Sequence, residues 1–340
     1  LSAGSTTRML LAVCSVVLFF GASLIGEDPF HEGIQAYQEG HYERARDVLR
    51  SLFLTKPAYV DERHGALAFW VGEVYEACNQ RDSMQWAWSR GIRALQDSGR
   101  FDTRLFDAHL GARWPDPGAD RERLLDVYMA LLAQVGDEVR GRSAHSILRR
   151  HVAQLGPLLG DGRWKQVLKK GDVDDPEDWT FREGAGDWLA MWWRRQDPLP
   201  ATDVNERLVE HLNRVQKAQS AFSNKERLAG WDDRGDLYIR YGPPARRDSI
   251  PFMSARFHRE VIRFGVGVHR GDFPRNEIWS YPHVGTKGHY LFVRRKGGYQ
   301  LGQAMDLIPQ ALKGNFHTAD RSQNRAYSAL AALRYVYRQL

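Results

Sequence analysis

Four charged residues in the second half of the chain have the types and spacing for acid–base chemistry. They are Asp232, Asp233, Arg234 and Glu277. A carboxylate beside a guanidinium group can transfer a proton or position a polar substrate. These four are therefore the candidate catalytic residues. The structural alternative is that Asp233 caps a turn while Arg234 pairs with a carboxylate and fixes the loop.

Aromatic and basic side chains close to these charges are the candidate binding residues. They are Trp231, Tyr238, Arg240, Tyr241 and Trp279. Tryptophan and tyrosine combine a large apolar ring with one polar group, so they occur both in packed cores and in ligand grooves. The chain contains 11 tryptophans, and such abundance favours large cores as the commoner use.

Short strands joined by long loops are the elements that must position these residues. Residues 237–241, 277–281 and 289–294 have the composition and alternation of half-buried strands. Gly235-Asp236 indicates a turn before the first of them, and Gly242-Pro243-Pro244 ends it. The pattern predicts a small, mostly antiparallel sheet.

Predicted helices flank this sheet. Trp188 and Trp192 lie one turn apart on one of them, a spacing that favours a core face. Prolines then break the helix, and Thr202 or Asp203 is placed to cap the next one, which runs through His211. A further amphipathic helix is predicted over residues 318–340.

Several of these segments resemble the GWxTD family of bacterial proteins over about residues 185–300. The matching pieces are Trp193-Arg194-Arg195, Asp197-Pro198, Asn205-Glu206, Asp233-Arg234-Gly235, the run from Tyr238 to Pro244, and the run from Glu277 to Tyr281. The name-giving Gly-Trp-x-Thr-Asp stands here as Gly230-Trp231-Asp232-Asp233, one residue shorter and without threonine. The family has no established activity, so the resemblance implies a domain type over residues 180–310 and not a reaction.

The first part of the chain resembles tetratricopeptide repeats. Its signature positions are Gly33, Ala36, Tyr37, Gly40, Tyr42, Ala45, Leu49 and Pro57, and a second unit matches at Gly72 and Tyr75. The small residues predict closely packed helices, with Tyr42 and Leu49 filling the space between them. Helical spacing continues over residues 121–159. A helical repeat region over residues 28–160 is predicted, and it serves either as a concave peptide-binding groove or as a scaffold for the next domain.

These patterns together predict an α+β protein. An N-terminal α-helical, tetratricopeptide-like region precedes a small, mostly antiparallel β-containing domain of the GWxTD type with flanking helices. A chain of 340 residues, 43% hydrophobic and 26% charged, suits two or three such globular domains.

An export segment is predicted at the N-terminus. Arg8 precedes an uncharged run over residues 9–25, which has small residues near Ala22. This order is typical of a secretory signal peptide over residues 1–26. The alternative is an uncleaved anchor in the inner membrane, since an apolar run of this length is at the lower limit for a span. Either way the body of the protein is predicted to be exported, to the periplasm or the outer membrane.

No cofactor or metal site is predicted. The chain has neither a phosphate-binding loop nor a Gly-x-Ser-x-Gly motif, and its 12 histidines show no recognised ligand spacing. Cysteines are also scarce: Cys14 lies within the export segment, which leaves Cys78 alone in the mature chain. An intramolecular disulfide is therefore excluded after cleavage.

Charge is unevenly distributed along the chain. Between Arg240 and Lys296 there are twelve arginines and lysines against four acids, a local excess of eight, whereas the whole chain carries +6. Such a region favours an anionic glycan or lipid as a ligand. Export argues against nucleic acid.

Three functions are consistent with the sequence. The first is a non-enzymatic envelope protein that scaffolds or binds a protein partner through the helical-repeat region. The second is an envelope enzyme, hydrolase-like, that uses the polar cluster near Asp232 and Arg234. The third is a binder of an anionic glycan or lipid through the basic C-terminal domain.

Overall fold

A computed structural model describes residues 28–116, 118–136, 142–171, 178–252, 273–284, 288–309 and 334. The predicted export segment at 1–26 lies outside these residues, as does the predicted helix at 318–340 apart from Arg334. The fold is mixed α+β with small antiparallel sheets, so the predicted class is confirmed. The chain divides into two compact units, Leu1–Ala119 and Asp120–Leu340.

The N-terminal unit consists of helices arranged around a short hairpin. Its elements are α1 (Pro29–Gln38), α2 (Tyr42–Thr55), β1 (Val60–Asp61), β2 (Gly65–Ala66), α3 (Leu67–Ala77), α4 (Arg81–Asp97) and α5 (Thr103–Arg113). β1 and β2 pair antiparallel. Asp102 caps α5, since its side chain accepts the amides of Arg104 and Leu105, and its other oxygen accepts the Ala66 amide at 2.6 Å.

Glycines let neighbouring helices of this unit approach closely. A Cβ on Gly33 would lie 2.4 Å from Leu49, and one on Gly72 would lie 1.8 Å from the Trp88 ring. Leu49 is buried there, as its position in the pattern predicted. Tyr42 does not fill the space between the helices: it is 41% exposed and packs against Tyr37. The tetratricopeptide character of these hairpins stays a prediction.

The C-terminal unit contains the remaining described elements. Its helices are α6 (Arg121–Ala133), α7 (Arg142–Val167), α8 (Ala185–Arg195), α9 (Glu206–Ala221), α10 (Asp233–Tyr241) and a 3-10 helix (Ala304–Leu307). Its strands are β3 (Leu168–Lys170), β4 (Thr180–Phe181), β5 (Arg246–Asp248), β6 (Asn276–Ser280), β7 (His289–Arg295) and β8 (Gly298–Gly302). No helix within the described ranges is long and apolar enough to cross a bilayer.

Helices α6 and α7 belong to the C-terminal unit, whereas the sequence pattern assigns residues 121–160 to the helical-repeat region. The Gly186 amide of α8 donates to the Val135 carbonyl at 2.7 Å. Arg240 of α10 likewise donates from Nε to the Pro157 carbonyl at 2.7 Å. At residue 160 the chain kinks, with Gly160 at φ 62°, and β3 follows and pairs antiparallel with β4.

Two of the three predicted strands are confirmed. Strands β6 and β7 pair antiparallel at the centre of a four-stranded sheet in the order β5-β6-β7-β8. One face of the sheet buries Trp279 and Phe292 against Phe222 and Trp231. Burial of rings of this size supplies most of the driving force that joins the sheet to the helices.

The predicted strand over residues 237–241 is wrong, because this segment is helix α10. Its buried residues are Gly235 and Ile239, spaced four apart as on a helix, rather than the alternation expected of a strand. Gly235 is a contact residue and not a turn, since a Cβ there would lie 2.2 Å from the Trp231 ring. Gly242, at φ 79°, ends the helix.

The cap of α9 also differs from the prediction. The Asn205 side chain accepts the Leu208 amide at 2.9 Å and donates to the Trp193 carbonyl at 2.9 Å. Asn205 therefore caps α9 in place of Thr202 or Asp203, and it also connects that helix to α8.

Candidate functional site

The candidate catalytic residues lie where the N-terminus of α10 meets the sheet. Asp232 is the helix cap, only 2% exposed, and its Oδ1 accepts the Arg234 amide at 3.1 Å. Its Oδ2 accepts the Tyr299 amide of β8 at 3.0 Å. One carboxylate thus fixes both the start of a helix and the edge of a strand.

Arg234 connects this cap to a second strand. Its Nη2 donates to Asp232 Oδ2 at 2.8 Å, and its Nη1 donates to Glu277 Oε1 on β6 at 2.6 Å. Its guanidinium carbon lies 3.9 Å from the centroid of the Tyr299 ring. We name Asp232, Arg234, Glu277 and Tyr299 the Arg234 clamp, because they join α10 to β6 and β8.

The carboxylates of the Arg234 clamp have their hydrogen bonds satisfied inside the fold. Glu277 Oε2 accepts the Trp279 indole N–H at 2.8 Å, and Asp232 accepts bonds from one side chain and two amides. Burial alone lowers the pKa of Arg234, but the hydrogen bonds and charges of Asp232 and Glu277 outweigh it and raise that pKa above its usual value. The cation is therefore permanent.

Asp233 lies on the other side of the helix start and does not cap it. Its Oδ2 accepts the Leu301 amide at 2.7 Å, and its Oδ1 pairs with Arg227. The same Arg227 reaches Asp236, whose other oxygen accepts the Trp231 indole N–H at 2.8 Å. Burial raises the pKa of Asp236, and Arg227 offsets only part of that effect.

The structure thus brings Asp232, Arg234 and Glu277 together and leaves Asp233 in a separate pair. A general acid or base must reach a substrate proton directly or through one water. In the Arg234 clamp the side chains of Asp232 and Arg234 are 3% and 12% exposed and bond to one another. This arrangement holds helix α10 on the sheet. It agrees with the structural alternative in pairing Arg234 with carboxylates, but the capping residue is Asp232 and not Asp233.

The candidate binding residues divide into buried and accessible groups. Trp231 and Trp279 are fully buried, so neither ring faces solvent. Tyr238 and Tyr241 are partly buried against the same core, and Tyr241 packs on Tyr281 with ring centroids 5.6 Å apart. Arg240 alone among the five is exposed.

A cleft of about 540 Å³ lies beside this region, between α7 and α10. We name it the α7–α10 cleft. Its walls include Ala153, Pro157, Trp164, Trp179, Arg227, Leu228, Asp233, Asp236, Leu237 and Arg240. The rings of Trp164 and Trp179 pack together with centroids 5.0 Å apart. Sequence reasoning missed this cleft because its two tryptophans are well separated in sequence and meet only after the kink at Gly160.

One further group of polar side chains was also missed. Among the described residues, His31, Asp61 and His64 of the N-terminal unit are close enough together to share a metal ion. His31 is separated from the other two by the whole of α2, so the three have no recognisable spacing in sequence. Only the fold brings them together.

No protein-family model matches this chain, and neither a curated protein nor a solved structure matches it. The resemblances to the GWxTD family and to tetratricopeptide repeats therefore remain predictions from the motifs. Function has to be inferred from the geometry of the two units.

Proposed function

We propose that this protein is a non-enzymatic binding protein of the bacterial envelope, and that its α7–α10 cleft receives a segment of a protein partner. The observation that carries the proposal is the contrast between the Arg234 clamp and the adjacent cleft. The charged residues of the clamp are bonded to one another, whereas the cleft is open and has mixed polar and apolar walls. Arg8 and the apolar run after it support export.

The lining of the cleft favours a polypeptide over a highly charged ligand. Leu228, Ala229 and Leu237, each partly exposed, provide an apolar wall for side chains of a bound segment. Three carboxylates, Glu226, Asp233 and Asp236, face two guanidinium groups, those of Arg227 and Arg240, so the lining charges nearly cancel.

The anionic-ligand alternative has less support from the described basic residues. Arg246 pairs with Asp248 at 2.6 Å, and Arg295 pairs with Asp306 at 2.9 Å. Arg247 lies over the Trp279 ring at 4.3 Å. Several other cations of the basic region lie between 253 and 272, outside the described residues. A binding constant that falls steeply with salt would favour this alternative.

The hydrolase alternative has one observation in its favour. Burial raises the pKa of Asp236, and this residue lines the cleft. A carboxyl group with a raised pKa in a cleft is a candidate general acid. If the chain turns over any substrate from a panel of esters, peptides and glycans, and Asp236→Asn abolishes this turnover, the enzyme function replaces the one proposed.

Site-specific photo-cross-linking in cells tests the binding function. A photoreactive phenylalanine analogue at Leu228, on the cleft wall, is expected to give a discrete product with one envelope protein. The same analogue at Lys217, exposed on α9, is the matched control and is expected to give none. The cleft-filling variant Ala153→Trp is expected to remove the product. Identical products from both positions, or none from either, would contradict the proposal.

The N-terminal unit offers a second candidate surface for a protein partner. Trp86 on α4 is 40% exposed and Leu54 on α2 is 47% exposed, and Trp86 packs edge to face on Phe53, the residue before Leu54. The helical-repeat prediction places partner binding in this region. A photoreactive group at Trp86 that gives the product instead of Leu228 would move the binding site to this unit.

A further inference from the structure

Three side chains from two segments of the N-terminal unit converge in the manner of metal ligands. His31 lies in the first turn of α1, Asp61 lies on β1, and His64 lies in the turn that follows it. One ligand atom from each lies within 4.8 Å of the others. His31 Nε2 and Asp61 Oδ2 are 3.9 Å apart. We propose that these three residues bind Zn²⁺, independently of the cleft and of the proposed function.

His31 is already oriented for this role by a carboxylate on its far side. Its Nδ1 lies 3.3 Å from Asp28 Oδ2, while its Nε2 faces Asp61. Asp28 is fixed in turn, since its Oδ1 accepts the Phe30 amide at 3.1 Å as the cap of α1. A histidine that gives one nitrogen to a carboxylate and the other to a metal is the usual arrangement in zinc sites. Asp28 is thus a positioning residue.

The hairpin turn fixes the other two residues. Asp61 Oδ1 accepts the amides of Arg63 and His64 at 2.9 and 2.7 Å, so Oδ2 is the oxygen turned towards His31. The backbone of His64 is held by its carbonyl, which accepts the Trp70 indole N–H at 2.7 Å. The rings of His31 and His64 are 5.3 Å apart, edge to face. The set is therefore largely preorganised without the ion.

The ligand types and spacing favour zinc over the alkaline-earth ions. Two imidazole nitrogens and one carboxylate oxygen suit Zn²⁺, whereas Mg²⁺ and Ca²⁺ require mostly oxygen ligands. Ligand atoms at zinc bond lengths lie about 3.4 Å apart in a tetrahedron. The ligand atoms lie within 4.8 Å of one another, so the side chains have to close on the ion by rotation when it binds. The His31 side chain is 46% exposed, which gives the ion access and allows water to complete the site.

Metal titration of the full chain, produced without a histidine tag, tests the proposal. We expect one Zn²⁺ per chain, and one Co²⁺ in its place with the intense visible bands of a four-coordinate site. His31→Gln, Asp61→Asn and His64→Gln should each weaken binding by at least about tenfold, and Asp28→Asn should do so by about tenfold. Zinc should also raise the thermal midpoint of the wild type but not that of His31→Gln.

His41→Gln is the matched control. His41 is 64% exposed in the same unit, and its Nδ1 lies 3.4 Å from a Glu39 carboxylate, so it reproduces the histidine–carboxylate pair without a second histidine. We expect no change in zinc affinity for this variant. The proposal is overturned if the wild type binds no stoichiometric zinc, or if His41→Gln weakens binding as much as His31→Gln. It is equally overturned if His64→Gln has no effect while its circular dichroism shows a folded chain.

Discussion

The Arg234 clamp and the group of His31, Asp61 and His64 both combine carboxylates with titratable nitrogen groups. They differ in exposure and in whether those groups are already paired within the fold. In the clamp a cation lies between two carboxylates, and the Arg234 side chain is only 12% exposed. In the histidine group three potential metal ligands face one another, and the His31 side chain is 46% exposed. The comparison teaches that residue type alone does not make a site. In the clamp the Arg234 cation neutralises the carboxylates from within the fold. The histidine group is open enough to take its cation, a metal ion, from solution.

The largest expected effect comes from removing the cation of the clamp. Arg234→Met leaves Asp232 and Glu277 partly buried without their shared partner. Breaking a buried ion pair from one side costs about 3–5 kcal/mol. We expect a loss of this size in the free energy of unfolding, measured by urea titration.

Arg246→Met is the matched control for this variant. Its side chain is 75% exposed and pairs with Asp248 at the surface, so we expect a loss of at most about 1 kcal/mol. Equal losses in the two variants would show that the clamp is no more important to stability than a surface ion pair.

The second effect tests whether the interior around α9 excludes water as well as the Arg234 clamp does. His211 is buried against Trp193, and neither of its ring nitrogens has a hydrogen-bond partner among the described residues. Burial lowers its pKa from 6.5 to about 3, and the charges of Arg207, Arg214 and His151 add to this. The unfolded chain therefore binds the extra proton below pH 6.5, so stability is full above that pH and falls as the pH drops towards 3.

The measurement is urea unfolding from about pH 7.5 to about pH 5 in the wild type and in His211→Leu. The histidine contributes a loss of about 2 kcal/mol over this range, which the variant should lack. Parallel pH profiles for the two proteins would show that His211 takes up a proton as readily in the folded chain as in the unfolded one, and that this interior is open to water.

The third effect tests the close contact that seats α10. In Gly235→Ala the new Cβ would lie 2.2 Å from the Trp231 ring, and overpacking of this kind costs about 1–3 kcal/mol. Gly111→Ala on α5 is the control, because nothing lies within 4 Å of a Cβ there and helix propensity should stabilise it by up to about 1 kcal/mol. Opposite signs in thermal unfolding are expected. Stabilisation by both changes would mean that α10 is loosely seated.

The smallest effect concerns the histidine group of His31, Asp61 and His64. His31→Ala removes only partly exposed contacts, so we expect the free energy of unfolding without zinc to change by less than about 0.5 kcal/mol. Chemical denaturation with a chelator present is the measurement. A loss comparable to that of Arg234→Met would erase the difference between the two groups and assign His31 a structural role.

Sequence reasoning succeeded wherever local periodicity and packing agree. Strands β6 and β7 were predicted from their strand-forming residues, and both are central in the sheet, where each pairs with a strand on either side. The helix that contains Trp188 and Trp192 was predicted for a similar reason, and Trp192 is buried on it. In both cases the residues that suit the element also supply its buried contacts: Leu291, Phe292 and Val293 are buried on β7, and Trp192 is buried on α8.

Sequence reasoning failed where a contact distant in space overrides local preference. Residues 237–241 are rich in strand-forming side chains, yet they continue a helix that Asp232 starts and that Trp231 and Gly235 fit against the core. The cap and the Trp231–Gly235 contact are local, but the sheet holds them in place, because the Tyr299 amide of β8 donates to the other oxygen of Asp232.

The sequence by itself determined the α+β class, the central strands, the helical character of the segments that precede the sheet and the short list of charged residues capable of chemistry. Only the tertiary structure decided what those residues do. It bonds Arg234 to both Asp232 and Glu277. It also brings His31, which precedes α2 in the chain, close to Asp61 and His64, which follow α2. The physical reason is that the reactivity of a charged side chain depends on its partners in space, and partners distant in sequence meet only in the folded chain.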